Sequence, residues 1–303
     1  MKPKKDLTTG SIRKHIMFLA APMLIAMFMH NLFTLVDTFF VGKLGHEAIA
    51  AVAASFPVFF IIIALITGLG IGVTSFVARS IGAKDFEKVN IIAENGLIIA
   101  GVLYLLTLVV GFFTIKPLVA FLGVQPIVAG FMTDYISIIY LGSFAFFFGN
   151  IANAMLQGEG DTKTPMKALV MANIANIILD PAFIFGLGPL PALGVKGAAI
   201  ATIISQAFGA VYAYSHLFSG KSFVKLSFKK LVYSSSIIKG ILSVSLPTSA
   251  AQGAIAVGIF FVNKLVATFG SAALAGFGIA FRMESIAILP ALALGIATLT
   301  TIG

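Results

Sequence analysis

The sequence contains no cysteine and no tryptophan, and only 10% of its 303 residues are charged. Without cysteine, disulfides and thiolate metal sites are excluded. Soluble domains carry about 25% charged residues, so the low charge content excludes a soluble globular protein. Apolar residues make up 59% of the chain and recur in runs of roughly 20 or more, long enough to cross a ~30 Å hydrocarbon core as helices. The sequence therefore predicts an all-α polytopic membrane protein.

Eight apolar spans account for most of the chain, and none shows the period-two alternation of a transmembrane β-strand. The first span is too long for a signal-peptide core and lacks a small-residue cleavage pattern, so we expect it to be retained. The spans cover roughly 16–41, 48–78, 91–115, 136–155, 168–186, 195–218, 237–262 and 277–302.

Basic residues lie mostly in alternate connections between the spans. Lys and Arg total 20 against 11 Asp and Glu, a net charge of +9, and most precede the first span or follow the second, fourth and sixth. The positive-inside rule then places the N-terminus on the cytoplasmic side of the cytoplasmic membrane. Anionic lipid at that face accounts for the surplus charge, so membrane lipids are expected partners and nucleic acid is not.

A gapless internal repeat relates the beginning and the end of the chain. A shift of 225 residues superimposes 12–78 on 237–303, and Pro22 coincides with Pro247 and Gly70 with Gly295. A shift of six helices preserves topology, which predicts the parallel repeats found in transporters. We expect residues 1–232 to form a six-helix lobe and residues 233–303 to be the first two helices of an incomplete second lobe. On this interpretation the sequence is truncated at the C-terminus, and the 303 residues alone should not transport.

Two carboxylates lie within apolar spans at matching depth, Asp37 in the first span and Asp180 in the fifth. An ionised carboxylate at bilayer depth costs about 2.5–3.5 kcal/mol on insertion scales, and neither acid has a basic neighbour in sequence. Two such acids in one region favour the uptake of a proton or a hard cation. The structural alternative is that each acid snorkels to the outer headgroups or caps a kinked helix.

The neighbours of Asp180 favour the functional interpretation. Asn176 precedes it by four residues, so its amide oxygen shares a helix face with the carboxylate. Pro181 follows it directly, which disfavours regular helix at Asp180 and would free backbone carbonyls for an ion.

Further polar residues within the spans are weaker candidates for a cavity or substrate site. Asn150 and Asn153 would present one polar face to the same pocket as the acids, or would form hydrogen bonds between helices. His30 and Asn31 have the same two alternatives in the middle of the first span. Glu284, near the outer end of the eighth span, is a candidate for a site in the second lobe.

Three glycines in the second span, Gly68, Gly70 and Gly72, include the small-xxx-small spacing that lets helix backbones approach closely in membranes. This pattern predicts close helix packing in preference to a ligand site.

Four segments, taken together, resemble the multidrug and toxic compound extrusion (MATE) transporters. They are Val36–Gly42, Gln157–Met166, Asn176–Pro181 and Leu193–Thr202. The resemblance implies twelve helices in two six-helix lobes around a central cavity. It also implies an antiporter that exchanges inward Na⁺ or H⁺ for outward organic cations and other drugs by alternating access.

The resemblance further implies a cation-coupling site formed by Asp37, Asn176, Asp180 and, from the sixth span, Thr202. No catalytic residue, no cofactor and no metal other than a bound Na⁺ is expected, and the coupling ion could equally be a proton. The expected partners are a small-molecule drug or organic cation and the membrane lipids, and the protein is expected to be a monomer.

Two other function classes fit the sequence less well. A lipid-linked precursor flippase of a related transporter family should carry a more basic central cavity, whereas basic residues are nearly absent from the first seven spans. An intramembrane aspartyl protease is suggested by Gly158–Asp161, which matches G-x-G-D, but this stretch lies in a polar turn and no second Asp preceded by Tyr lies within a span. No P-loop, H-E-x-x-H or G-x-S-x-G motif is present, so the sequence predicts a transporter and not an enzyme.

Overall fold

The computed structural model describes residues 11–188, 191–226, 232–267 and 287–301, and every regular element within these ranges is a helix. This confirms the predicted all-α polytopic fold. The helices are α1 (Ile12–Gly42), α2 (His46–Gly82), α3 (Phe86–Leu122), α4 (Pro126–Gly158), α5 (Lys163–Phe185), α6 (Val195–Phe218), α7 (Ser235–Ala267) and α8 (Ala287–Thr301).

Each of the helices α1 to α6 contains a segment long and apolar enough to cross a membrane. The first seven helices coincide with the predicted spans but extend beyond most of them, because polar residues can cap or begin a helix. The Asp85 side chain, for example, accepts a hydrogen bond from the Lys88 backbone N–H in the first turn of α3, and Pro126 begins α4, where its missing N–H costs nothing. The part of the eighth predicted span before residue 287 lies outside the described residues.

The bundle is centred on α2 and α4, which pack against each other. On α4, Phe147, Ile151 and Met155 are all buried and contribute to one large apolar core with Val73 of α2. The outer surface is also apolar: Phe121 of α3, for example, is 87% exposed. Large apolar side chains on the outside suit a protein whose solvent there is lipid.

The last two described helices pack onto the first six. α7 lies against α2 and α3, and Ala297 of α8 is buried with Leu19 and Ala20 of α1. The division of the chain into lobes at residues 232 and 233 stays a prediction.

The glycines of α2 provide the close contacts that the sequence predicts. A Cβ atom added to Gly68 would lie 2.6 Å from the backbone oxygen of Ser245 on α7, and one added to Gly72 would lie 3.0 Å from the backbone oxygen of Ile241. On another face, a Cβ atom on Gly70 would meet the side chain of Asn150 on α4. The backbones of α2 and α7 therefore approach so closely that only glycine fits at Gly68.

The connection from α6 to α7 is attached to the start of α3 by buried polar side chains. The Asn95 amide nitrogen donates to the backbone oxygen of Val232 over 2.8 Å, and the Asn95 oxygen accepts from the Ser234 N–H over 3.0 Å. The Glu94 carboxylate accepts from the Val232 N–H over 2.9 Å. Because Asn95 is fully buried, these bonds also satisfy the polar atoms of its own side chain.

Replacing Asn95 by leucine should loosen this connection. The substitution leaves the Ser234 N–H without its acceptor, and an unsatisfied buried polar group costs about 1–3 kcal/mol. We expect faster limited trypsin cleavage after Lys225, which lies in the same connection. Ser243→Ala is the control, since its exposed hydroxyl donates to the Gly240 backbone oxygen within α7 and, in the part of the chain that the structure describes, to no residue of the connection. Equal cleavage rates in Asn95→Leu and the wild type would contradict the attachment.

Candidate functional site

The two predicted carboxylates lie on α1 and α5, which pack against each other. Asp37 lies five residues before Gly42, the last residue of α1, and Asp180 lies five residues before Phe185, the last residue of α5. Each is therefore about 7.5 Å from its helix end, and the helix bounds agree with the expected matching depth. The carboxylates lie within electrostatic range of each other. Both are buried, Asp180 fully and Asp37 with 8% of its surface exposed.

Close contacts also set the register of α6 against α5. A Cβ atom added to Gly197 would lie 2.8 Å from the backbone nitrogen of Ile184, and one added to Gly209 would lie 3.0 Å from the backbone oxygen of Ala168. Residues with higher numbers on α6 therefore contact residues with lower numbers on α5, so the two helices are antiparallel. This register places Thr202 level with the turn of α5 that ends at the buried carboxylate.

The four residues expected to bind a cation are all buried. Within the site, the Asn176 amide nitrogen donates to Asp180 Oδ1 over 2.9 Å. Four other oxygen atoms are buried and receive no hydrogen bond from any described residue: Asp37 Oδ1, Asn176 Oδ1, Asp180 Oδ2 and Thr202 Oγ1. The site is thus rich in acceptors and poor in donors.

This donor set is suited to a hard cation or a proton. Carboxylate, amide and hydroxyl oxygens are hard ligands, and buried oxygens without donors are costly unless a cation or a proton satisfies them. Within the described residues no group of three or more His, Cys, Asp or Glu is arranged to hold a metal.

The helix α5 does not break at Pro181, contrary to the expectation from sequence. It continues to Phe185 and ends at Gly186, whose left-handed φ of 75° is readily adopted by glycine. Proline nevertheless lacks an N–H, so the carbonyl oxygen of Ile177 loses its usual helical donor. The predicted irregularity at Asp180 is therefore wrong because the packing of α5 between α1 and α6 keeps the helix intact.

Two buried polar residues near the acids were not singled out from the sequence. Tyr135 of α4 lies within electrostatic range of both carboxylates, and nothing in its sequence context marks it. Asn173 of α5 is 3% exposed and donates a hydrogen bond to the backbone oxygen of Met29 on α1 over 2.7 Å. Its spacing of three residues before Asn176 is a signal that could have identified it.

The asparagines on α4 line a space of their own. A cavity of about 130 Å³ lies between α2, α4, α5 and α6, and Asn150, Asn153 and Gln206 are among its lining residues. The amide oxygens of both asparagines are buried without a hydrogen-bond partner among the described residues. Neither Asp37 nor Asp180 is among the residues that line this cavity, and the assignment of Asn150 and Asn153 to one pocket with the acids stays a prediction.

The remaining candidates from the sequence are resolved only in part. The Asn31 amide donates to the backbone oxygen of Met27 within α1 over 3.0 Å, so this donor bonds within its own helix and not between helices. The side chain of His30 and the whole of Glu284 lie outside the described residues. Their assignment to a cavity stays a prediction.

Comparison with known proteins gives a consistent result. The family model described as MatE matches residues 22–182. The chain is 34% identical to an FAD transporter of Shewanella oneidensis over 68% of this chain and 45% of that protein. It is 30% identical to a probable multidrug resistance protein NorM of Thermotoga maritima over 99% of this chain and 64% of that protein.

Solved structures agree with the sequence comparison. One is described as the outward-facing conformation of a multidrug resistance MATE family transporter of the MOP superfamily. The chain matches it with a TM-score of 0.91 and 35% identity, over 99% of this chain and 67% of that chain. The chain thus spans between just under half and about two thirds of the length of the relatives and structures it matches.

Proposed function

Because the chain belongs to the MATE family of transporters, as its motifs predicted, we propose that it supplies the cation-coupling lobe of a secondary active antiporter. The protein exchanges inward Na⁺ or H⁺ for an outward organic cation or drug. The ion binds at Asp37, Asn176, Asp180 and Thr202, and the family to which the chain belongs consists of transporters and not of enzymes.

The observation that carries this proposal is the set of four buried oxygens without donors. Two of them belong to the carboxylates of Asp37 and Asp180, and two belong to the neutral side chains of Asn176 and Thr202. Unpaired carboxylates are costly at bilayer depth. Binding of one Na⁺, or protonation of one acid, offsets this cost, so the occupied and unoccupied states differ in the charge held between α1 and α5.

That difference in charge is the proposed link between the ion gradient and export. When Na⁺ or a proton is bound, α1 packs against α5 with little net repulsion between the two acids. When the site is unoccupied, it holds two like charges in range of each other. These charges favour a different packing of α1 and attract a cationic drug to the central cavity between the two lobes that the family resemblance implies. Alternating access then exposes the cavity to opposite sides of the membrane in turn.

An organic cation is favoured over a pyrophosphate-bearing lipid as the exported compound. Among the described residues the site carries two buried carboxyl groups, Asp37 and Asp180, and the names of several relatives refer to multidrug resistance or export. The proposed location is the cytoplasmic membrane with a cytoplasmic N-terminus, supported by the distribution of basic loops, and the proposed working form is a monomer.

The test is gradient-driven efflux from liposomes that contain the full-length protein and a fluorescent organic cation such as ethidium. An imposed Na⁺ gradient and an imposed proton gradient are applied separately. Efflux that is faster than from protein-free liposomes under one gradient, and that stops when this gradient is dissipated, would support the antiporter. The gradient that drives efflux would identify the coupling ion. Efflux that is indifferent to both gradients would contradict it.

The neutral ligands should matter less than the acids. Asn176→Ala and Thr202→Ala each remove one neutral oxygen and leave both carboxylates, so we expect the ion concentration for half-maximal efflux to rise about tenfold with the maximal rate largely kept. Asn176→Ala should have the larger effect, because it also removes the hydrogen bond to Asp180. The measurement is a titration of ethidium efflux against ion concentration, and unchanged half-maximal concentrations in both variants would remove these residues from the site.

A further inference from the structure

One side chain joins the two helices that carry the acids. The Asn173 amide nitrogen on α5 donates to the backbone oxygen of Met29 on α1 over 2.7 Å, and Asn173 is almost fully buried. Since a backbone oxygen belongs to the helix itself, this bond reports the position of the α1 backbone and does not depend on the conformation of a flexible side chain.

The bond lies two helical turns from the acids along both helices. Met29 precedes Asp37 by eight residues, or about 12 Å, and Asn173 precedes Asp180 by seven, or about 10.5 Å. Spacings of seven and eight residues keep each pair on one face of its helix. On both helices the residue of the hydrogen bond precedes the acid in sequence, so α1 and α5 are parallel. A fixed distance between Asn173 and Met29 therefore sets the axial register of Asp37 relative to Asp180.

Stability alone gives little reason for an asparagine at this position. The amide oxygen of Asn173 is buried without a hydrogen-bond partner among the described residues, and an unsatisfied buried oxygen is a cost that leucine, which has the same branching at Cγ but no polar atom, would avoid. What leucine lacks is a donor for the α1 backbone. The retained amide is therefore better explained by the geometry it imposes than by the energy it contributes.

We propose that Asn173 is a positioning residue, which holds α1 in the axial register that brings Asp37 to Asp180. The role in ion binding rests on the proposed function, whereas the role in register does not. Asn173 is not itself a ligand in this proposal, because it lies about 10.5 Å along α5 from Asp180.

The first experiment measures register without reference to transport. Since these 303 residues contain no cysteine, the double variant Asp37→Cys with Asp180→Cys places two thiols in a chain segment that otherwise has none. We compare the rate at which a short bifunctional thiol reagent joins them in the Asn173 background and in the Asn173→Leu background. The proposal expects the cross-linking rate to fall several-fold in Asn173→Leu. The control is Ser55→Ala, which removes a buried hydroxyl that, among the described residues, bonds to Ala51 within its own helix α2.

The second experiment measures ion binding to the folded protein. In the background with both acids intact, we expect Asn173→Leu to bind the coupling ion about 10- to 100-fold more weakly, the usual range when a supporting group around an ion site is lost. Binding is measured with ²²Na⁺ for sodium and by the release of bound protons for H⁺. A purely structural role would lower the yield or the melting temperature but leave the affinity of the folded fraction unchanged. Asn173→Gln, which keeps the donor, should recover part of the affinity.

The outcomes separate the two proposals. An unchanged cross-linking rate in Asn173→Leu would overturn the positioning role, whatever the ion-binding result. A reduced cross-linking rate in a protein whose wild type binds neither ion would support the register role and contradict the proposed antiport. Equal ion affinity of the wild type and Asn173→Leu, with altered cross-linking, would show that register does not control the site and would overturn the link to ion binding.

Discussion

Replacement of either Asp37 or Asp180 by asparagine is expected to abolish ion-coupled drug efflux. Asparagine keeps the size and much of the hydrogen bonding of aspartate but removes the negative charge on which ion uptake depends. Because both acids are buried in range of each other, neither can substitute for its partner. We expect the coupled rate in each variant to fall to that of protein-free liposomes, a loss of at least about 100-fold for a removed charged ligand.

These variants should fold normally. Each removes a carboxylate oxygen that has no donor among the described residues, so the melting temperature in detergent should stay the same or rise. The matched control is Asp134→Asn, because Asp134 is also on a membrane helix but forms an exposed ion pair with Lys196, at 3.3 Å between Oδ1 and Nζ. Exposed pairs contribute little, and efflux should persist in this control.

The measurement is ethidium efflux under the gradient that drives the wild type, with protein amount and melting temperature determined for each variant. If both asparagine variants retain gradient-driven efflux, the coupling site is wrong, and the two acids have the role of caps or of groups that snorkel to the headgroups. If only one variant retains efflux, the acid replaced in that variant is not needed, and the ion is bound by the remaining acid with the neutral oxygens.

The substitution Gly68→Ala is expected to separate α2 from α7. The added Cβ atom would lie 2.6 Å from the backbone oxygen of Ser245 and 2.8 Å from the backbone nitrogen of Ser249. Backbone atoms in a helix cannot move aside as a flexible side chain can, so the helices must shift. Overpacking of this kind costs about 1–3 kcal/mol, and the melting temperature should fall by several degrees.

The matched control lies on the same helix. A Cβ atom at Gly82, the last residue of α2, has no neighbour within 4 Å, so Gly82→Ala should be neutral or slightly stabilising. The measurement is the thermal unfolding of both variants in the same detergent. A melting temperature for Gly68→Ala equal to that of Gly82→Ala would show that the α2–α7 contact is looser than the structure indicates.

Which segments form helices was determined by the sequence alone. In lipid, a backbone that crosses the hydrocarbon core must satisfy its own hydrogen bonds, so a sufficiently long apolar run has few alternatives to a helix. The first seven predicted spans therefore coincide with α1 to α7. The same physics singled out Asp37 and Asp180, since an acid in an apolar span is costly and stands out without any structural information.

How the helices face one another was decided only by the tertiary structure. These helices are apolar on nearly all sides, so hydropathy does not indicate which side of a helix meets its neighbour. The bond from Asn173 to Met29, the approach of Tyr135 to the acids and the separate cavity at Asn150 and Asn153 all depend on rotation and axial register. These are set by side-chain packing between helices that are distant in sequence.

At Pro181 of α5, too, the sequence does not determine the local structure. Local stereochemistry around Pro181 predicts an interruption next to Asp180, and the sequence offers nothing against it. The structure keeps the helix intact to Phe185 because the packing of α5 against α1 and α6 outweighs the one backbone hydrogen bond that proline removes. The sequence thus determined which residues enter the membrane as helices and which of them are chemically costly there, while tertiary packing alone decided which of those costly groups meet.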